Sequence, residues 1–256
     1  MPKKIKRIQA GRVGWMVAYT APQAGDSPKV RRQKQRASSA AREMLNARYS
    51  YSKLERVLAA NFDDGDLFVT LTYSDERLPP SRNQAVRKVR RFLSKLRERR
   101  KQKGERLDYV YVTEGSYPGG RLHHHLVLNG TGDDAEDLRE LWIYGNVKFT
   151  VLKFTPMESY EDLASYLTKE PREHGHPRTG ERTWTPSLKL KKPAEPPVEE
   201  VPDYVTLTPP PGAIWSSMEG PRRNGYGEFV WLKYMLPYDS GRGRPKARKR
   251  KRRKEK

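Results

Sequence analysis

The sequence contains no cysteine, so disulfide cross-links and thiolate zinc sites are excluded. It contains no apolar run near the roughly 20 residues that a bilayer-spanning helix needs. The basic N-terminus is not followed by the apolar segment of about 7–15 residues that marks a secretory signal. No membrane partner is expected, and a reducing cytoplasm fits. There is no G-x-x-x-x-G-K-[ST] loop, so the chain is not expected to carry its own P-loop helicase motor, and no internal repeat is present. Apolar residues are also scarce, at 35% against 32% charged. That balance predicts a compact centre with solvated ends rather than packing along the whole length.

What the chain has in excess is positive charge. The formal net charge is +21 over 256 residues, which points to a polyanionic partner, most commonly nucleic acid. Residues 1–36 carry net +9 and residues 241–256 net +10, which leaves about +2 for 37–240. Within that middle, 82–106 holds twelve Lys/Arg against two acids. The basic character thus belongs to both ends and one internal stripe.

Hydrophobic patterning places the elements. Residues 1–36 read as a basic, largely disordered segment with a short strand at 13–19. A helix follows over 37–60, with Leu54, Val57 and Leu58 on its apolar face. Residues 67–73 (LFVTLTY) have strand chemistry. Ser81 and Gln84 form a capping box for a basic helix that ends at Gly104 and buries Val86, Val89, Leu93 and Leu96. Strands follow at 109–113 and 122–128, joined by a glycine-rich turn. Asp133 and Glu136 cap a short helix, and a strand covers 147–154. Thr155, Pro156 and Glu158 then open a last helix that runs to about Lys169. The order β-α-β-β-α-β predicts an α+β fold: a ferredoxin-like split βαβ with an antiparallel sheet and helices on one face. The core spans 61–170 within a domain at 37–172. Residues 173–240 read as a Pro-rich linker, extended over 193–211, with a C-terminal strand or helix at 229–236 docking on the core. Residues 241–256 read as a disordered basic tail.

Three of the five histidines are adjacent, at His123, His124 and His125, and an apolar run follows them directly. On a strand, alternation sends His123 and His125 to one face and His124 to the other. Two residues of strand rise separate the pair by roughly 6.6 Å, which side chains can close around one metal ion. Glu114, across the predicted hairpin, can reach the same site; a simple ion pair with Arg121 is the competing use of that carboxylate. In the last helix Tyr160, Leu163, Ala164 and Leu167 form the core stripe. Tyr166 and Lys169 share a neighbouring polar face.

Three segments in order resemble the HUH endonuclease superfamily, specifically the rolling-circle replication initiators of phages and plasmids. Phe68-Val69-Thr70-Leu71-Thr72-Tyr73 resembles the first motif. Arg121-Leu122-His123-His124-His125-Leu126-Val127-Leu128 resembles the His-hydrophobe-His metal motif, with histidine in the middle position. Ala164-Ser165-Tyr166-Leu167-Thr168-Lys169 resembles the Tyr-x-x-Lys helix. The resemblance implies a divalent ion, Mg or Mn, held by His123, His125 and Glu114. It implies Tyr166 as nucleophile, assisted by Lys169, and a 5′-phosphotyrosine intermediate with a free 3′-hydroxyl. A phenol ionises near pH 10 in isolation, so positioning and nearby positive charge must favour its attack. The implied partners are single-stranded origin DNA, duplex DNA through the basic segments, and a host DNA polymerase and helicase in a bacterial cytoplasm. Tyr160 and Tyr166 lie on different faces, which favours a single-tyrosine enzyme. Two other readings compete: a non-catalytic RNA-recognition module stacking bases on Tyr109 and Tyr111, and a transposase or relaxase of the same superfamily.

Overall fold

The computed structural model describes residues 3–20, 39–154, 160–170, 182–224 and 227–237. The chain opens with strands β1 (Lys3–Ala10) and β2 (Val13–Thr20) and helix α1 (Ser39–Asn61). Then come β3 (Leu67–Thr72), α2 (Arg82–Gln102), β4 (Tyr109–Glu114), β5 (His123–Leu128), α3 (Asp134–Leu141), β6 (Val147–Val151) and α4 (Tyr160–Leu167). Strands β7 (Thr185–Pro186), β8 (Glu199–Val201), β9 (Trp215–Asn224) and β10 (Gly227–Met235) complete the described elements. They build two antiparallel sheets, ordered β6-β3-β5-β4-β7 and β8-β1-β2-β10-β9.

The first sheet has the split βαβ arrangement expected from the element order: β5 lies between β3 and β4, and β6 sits outside β3. Strand β3 alternates, burying Leu67, Val69 and Leu71 on one face. Strands β4 and β5 are buried at nearly every position, as strands covered on both sides must be. Ser81 caps α2 by accepting from the Gln84 amide. That helix sets Ala85, Val89, Phe92, Leu93 and Leu96 against the sheet, with Leu138 and Trp142 from the α3 side. Each such side chain contributes roughly 1.5–3 kcal/mol on burial.

Helices on one face describes only the two crossover helices, α2 and α3. The opposite face carries Val110, Val112 and Val127, and α1 and α4 cover it with Leu54, Leu58, Phe62, Tyr160, Ala164 and Leu167. An apolar β4-β5 pair with both faces buried leaves no other solution. Helix α3 also differs in detail. Asp133 makes no side-chain cap; Asp134 instead accepts from the Thr131 and Gly132 amides.

The N-terminal expectation is corrected over residues 3–20, which form a hairpin inside the second sheet rather than a largely disordered segment. Ile5, Ile8 and Ala10 point inward, while the basic residues between them meet acids from far along the chain. Lys4 pairs with Glu200 at 3.1 Å and Lys6 with Glu195 at 3.0 Å, and Arg7 pairs with Glu199. Pairs this exposed add about 0–1 kcal/mol each, so strand pairing and the buried side chains hold the hairpin. Its turn sits on α1: Gly11 has φ of 55°, and a Cβ there would stand 2.1 Å from the Ala59 carbonyl oxygen. The segment at 229–236 is a strand, β10, at the interior of this sheet. The Pro-rich stretch is more than a linker, because β8 pairs with β1 and Leu207 is buried. Lys233 of β10 joins the two halves by binding both Glu55 of α1 and Glu161 of α4. The remainder of the basic N-terminal segment at 21–36, the cap at 155–158 and the tail at 241–256 lie outside the described residues. No described helix is long and apolar enough to cross a membrane.

Candidate active site

The β4-β5 pairing creates the site. Glu114 is the last residue of β4 and lies directly opposite His123, while His125 lies opposite Val112. The turn beside Glu114 is very tight. Gly115 has φ of 82°, and a Cβ there would meet the Arg121 carbonyl oxygen at 2.0 Å, so only glycine permits the approach. Glu170 closes the same turn by accepting from the Gly115 amide and the Ser116 hydroxyl. Glu114, His123 and His125 then converge on one face of the sheet, their nearest ligand atoms within 4.8 Å of one another.

The geometry suits a cation. Glu114 Oε2 stands 3.3 Å from His123 Nε2 and 3.2 Å from His125 Nε2. Two donors each about 2.1 Å from one ion, at octahedral or tetrahedral angles, are roughly 3.0–3.4 Å apart. Both oxygens of Glu114 are buried, a placement that is costly for a carboxylate without polar partners, and Oε2 faces the two imidazole nitrogens. The rings are fixed from behind. His123 Nδ1 donates to the Arg121 carbonyl at 2.8 Å; a carbonyl only accepts, so in the neutral ring the lone pair is on Nε2, the nitrogen that faces Glu114. His125 Nδ1 meets the Thr70 hydroxyl at 3.0 Å, and its ring stacks on Phe68. Such partners behind a ligating imidazole hold its orientation. Burial opposes ionisation of Glu114, but His123, His125 and the charge of Lys169 outweigh it and hold the carboxyl at about 2. The carboxylate in turn raises the His123 imidazole above its usual range. Three donors on one side of the point they share leave further coordination positions open.

His124 faces the other way, as alternation requires. It is fully buried between the Tyr73 hydroxyl at 2.7 Å and the Thr113 hydroxyl at 2.9 Å. Burial pushes its imidazole down to about 3, so it is a neutral hydrogen-bonding post of the core. Arg121 binds Asp75 and the Tyr73 carbonyl, not Glu114.

Helix α4 brings a tyrosine to the same place. Tyr160 is buried and donates to the Phe62 carbonyl at 2.8 Å, a core role. Tyr166 is 43% exposed, and its hydroxyl lies 3.4 Å from His125 Nε2. Its ring meets Phe68 edge-on and carries the Lys169 ammonium 4.1 Å from its centroid. A solvent-accessible phenol oxygen therefore borders the Glu-His-His set with a cation beside it. Sequence reasoning missed Thr70, Phe68 and Glu170 as supports. The register signal for Thr70 was available, because it is the cross-strand partner of His125.

Residues 66–171 match the family model described as Replication-associated protein ORF2/G2P. The matched segment runs from just before β3 to just after Lys169 and includes Glu114, His123, His125 and Tyr166. It is consistent with a rolling-circle Rep protein, and such a family implies DNA binding and a part in replication initiation. No curated protein and no solved structure matches the chain.

Proposed function

We infer that this chain, with its replication-associated ORF2/G2P segment, nicks one strand of a replication origin through Tyr166 and so initiates rolling-circle DNA replication. The observation that carries the reading is the Tyr166 hydroxyl 3.4 Å from the Nε2 of His125, itself one of three convergent donors in a largely buried carboxylate-imidazole set. Glu114, His123 and His125 hold a divalent cation, Mg or Mn. When bound, it supplies Lewis-acid polarisation of the scissile phosphate. The Tyr166 oxygen attacks phosphorus in line and gives up its proton. The bond from phosphorus to the 3′-oxygen breaks, and that oxygen takes up a proton. The products are a 5′-phosphotyrosine and a free 3′-hydroxyl from which a host polymerase extends after helicase opening. Lys169, beside the ring, neutralises negative charge developing on the attacking oxygen. Attack by a later 3′-hydroxyl reverses the exchange and rejoins the strand without nucleotide hydrolysis. Tyr160 takes no part, because its hydroxyl is engaged in the core. An RNA-recognition module needs an open aromatic sheet face; here Tyr111 is buried, and its hydroxyl accepts from Arg90.

The test uses a single-stranded origin oligonucleotide labelled at its 3′ end, incubated with the protein and Mn²⁺. The label is expected to migrate with the protein on a denaturing gel, and to stop doing so with chelator or with Tyr166→Phe. An adduct that survives Tyr166→Phe overturns the assignment.

A further inference from the structure

The positive stripe at 82–106 is not one surface. Three basic residues of its C-terminal half are neutralised within the fold by the acids of α3. Arg99 binds Asp137 at 3.0 Å and Glu140 at 2.9 Å, Arg100 binds Asp134 at 2.7 Å, and Lys103 binds Asp137 at 2.6 Å. Its N-terminal half behaves differently. Arg82, Arg87 and Arg90 form one wall of a cleft of about 520 Å³, and Arg182 stands on the other wall. Among the described residues, no carboxylate lines this cleft. Arg82 donates across it to the Arg182 carbonyl at 3.2 Å.

The floor of the cleft is the outer part of β4, from Tyr111 to Thr113. Among the described residues, strand β7 pairs only with Val110 and Tyr111, and the cleft occupies the stretch of β4 beyond that pairing. The next residue of β4 is Glu114, whose Cα is only about 3.8 Å from that of Thr113, but whose side chain, with those of His123 and His125, lies on the face of the sheet opposite α2. A chain of phosphates that leaves the arginines over the β4 edge between Val112 and Glu114 crosses from the α2 face to the Glu-His-His face.

We propose that this cleft is the entry track for a single DNA strand, with Arg87 and Arg182 gripping phosphates on the approach to the one presented at Glu114, His123 and His125. The proposal rests on the nicking function above and adds where the strand runs. Four guanidiniums around a concave floor match a flexible polyanion. A duplex presents a convex, stiff surface that such a cleft does not follow. Val86 gives the cleft an apolar component against which sugars rest.

Arg87 and Arg182 are exposed, so truncating them does not threaten the fold. The experiment measures the affinity of the full chain for a fluorescein-labelled single-stranded oligonucleotide over a series of salt concentrations, in chelator so that no strand is cut. Each phosphate contact contributes about 0.7 to the slope of log affinity against log salt for single strands. Arg87→Ala/Arg182→Ala is expected to lower the slope by about 1.4 and the affinity at physiological salt by about tenfold. The control, Lys95→Ala/Lys101→Ala, removes equal charge from exposed positions of α2 outside the cleft and is expected to change affinity less than threefold. A competing unlabelled duplex of the same length is expected to displace the strand poorly. Equal losses in the two double variants, or unchanged binding in the cleft variant, overturn the entry track. These outcomes separate from the chemistry. A wild-type adduct combined with a cleft variant that binds normally sinks the track alone. Absence of any adduct combined with the predicted binding loss sinks the nicking reaction and leaves the cleft as a strand-binding site.

Discussion

Glu114→Gln is the substitution whose consequences separate a metal centre from a buried hydrogen-bonded cluster. His123, His125 and Lys169 outweigh the burial of Glu114 and hold its carboxyl at about 2, below the ordinary range, so its charge stabilises the fold at neutral pH. Glutamine keeps the shape and removes the charge, so in chelator the variant is expected to melt below wild type. With metal the gap widens. A ligand at a hundred times its dissociation constant stabilises by about 2.7 kcal/mol, which for a domain of this size is about 5–11 °C in Tm. Losing the only carboxylate of the set is expected to weaken binding at least as much as losing a supporting partner of a ligand, at the upper end of about 10–100-fold. At the same metal concentration the variant then gains only about 0.4 kcal/mol, or roughly 1 °C. Differential scanning fluorimetry with and without Mn²⁺ reads both halves. An equal metal-induced rise in both proteins, or none in wild type, refutes the metal site. A variant that melts at or above wild type in chelator refutes the stabilising charge of Glu114.

Three further outcomes follow from the same structure. Thr70→Val removes the hydroxyl behind His125 Nδ1 and is expected to weaken Mn²⁺ affinity by about 10–100-fold by isothermal titration, with unchanged affinity counting against the support role. Arg100→Met strands the buried Asp134 and should cost about 3–5 kcal/mol in urea unfolding; a cost under about 1 kcal/mol would mean the pair is not desolvated. Burial pushes Asp66 up to about 6, against the lowering effect of the Gly130 and Asp63 amides. A folded pKa above the unfolded 3.8 means that this group's contribution is full at low pH, declines as pH rises from about 4 to 6, and stays low above that, a change of about 3 kcal/mol. Carboxyl NMR titration should give its midpoint near 6, and a midpoint near 4 contradicts it.

The parts of the fold that were legible in the sequence are those whose signals are local. Alternation in β3, the Ser81 cap and the glycine-rich turn that joins β4 to β5 all act within a few residues, and together they yielded the strand order around β5. The same locality gave the faces of His123, His124 and His125 and separated Tyr160 from Tyr166. What escaped is non-local. The lysines and arginines of β1 read as disorder because their acidic partners stand about 190 residues away, in a stretch whose prolines suggested a linker. Likewise α1 and α4 could not be assigned to the second face of the sheet without knowing that the β1-β2 hairpin and β10 complete the layer around them. The basic stripe misled in the opposite sense, because the acids of α3 that pair with Arg99, Arg100 and Lys103 belong to a different element.

Mass mapping of the covalent product addresses the central claim most directly. The full chain is allowed to cleave single-stranded origin DNA in Mn²⁺, the DNA is digested to its attached nucleotide, and the modified peptide is sequenced. The account predicts a single nucleotide joined through a 5′-phosphate to Tyr166, with Tyr160 unmodified. A nucleotide on any other residue, or cleavage that leaves every peptide unmodified, would contradict it.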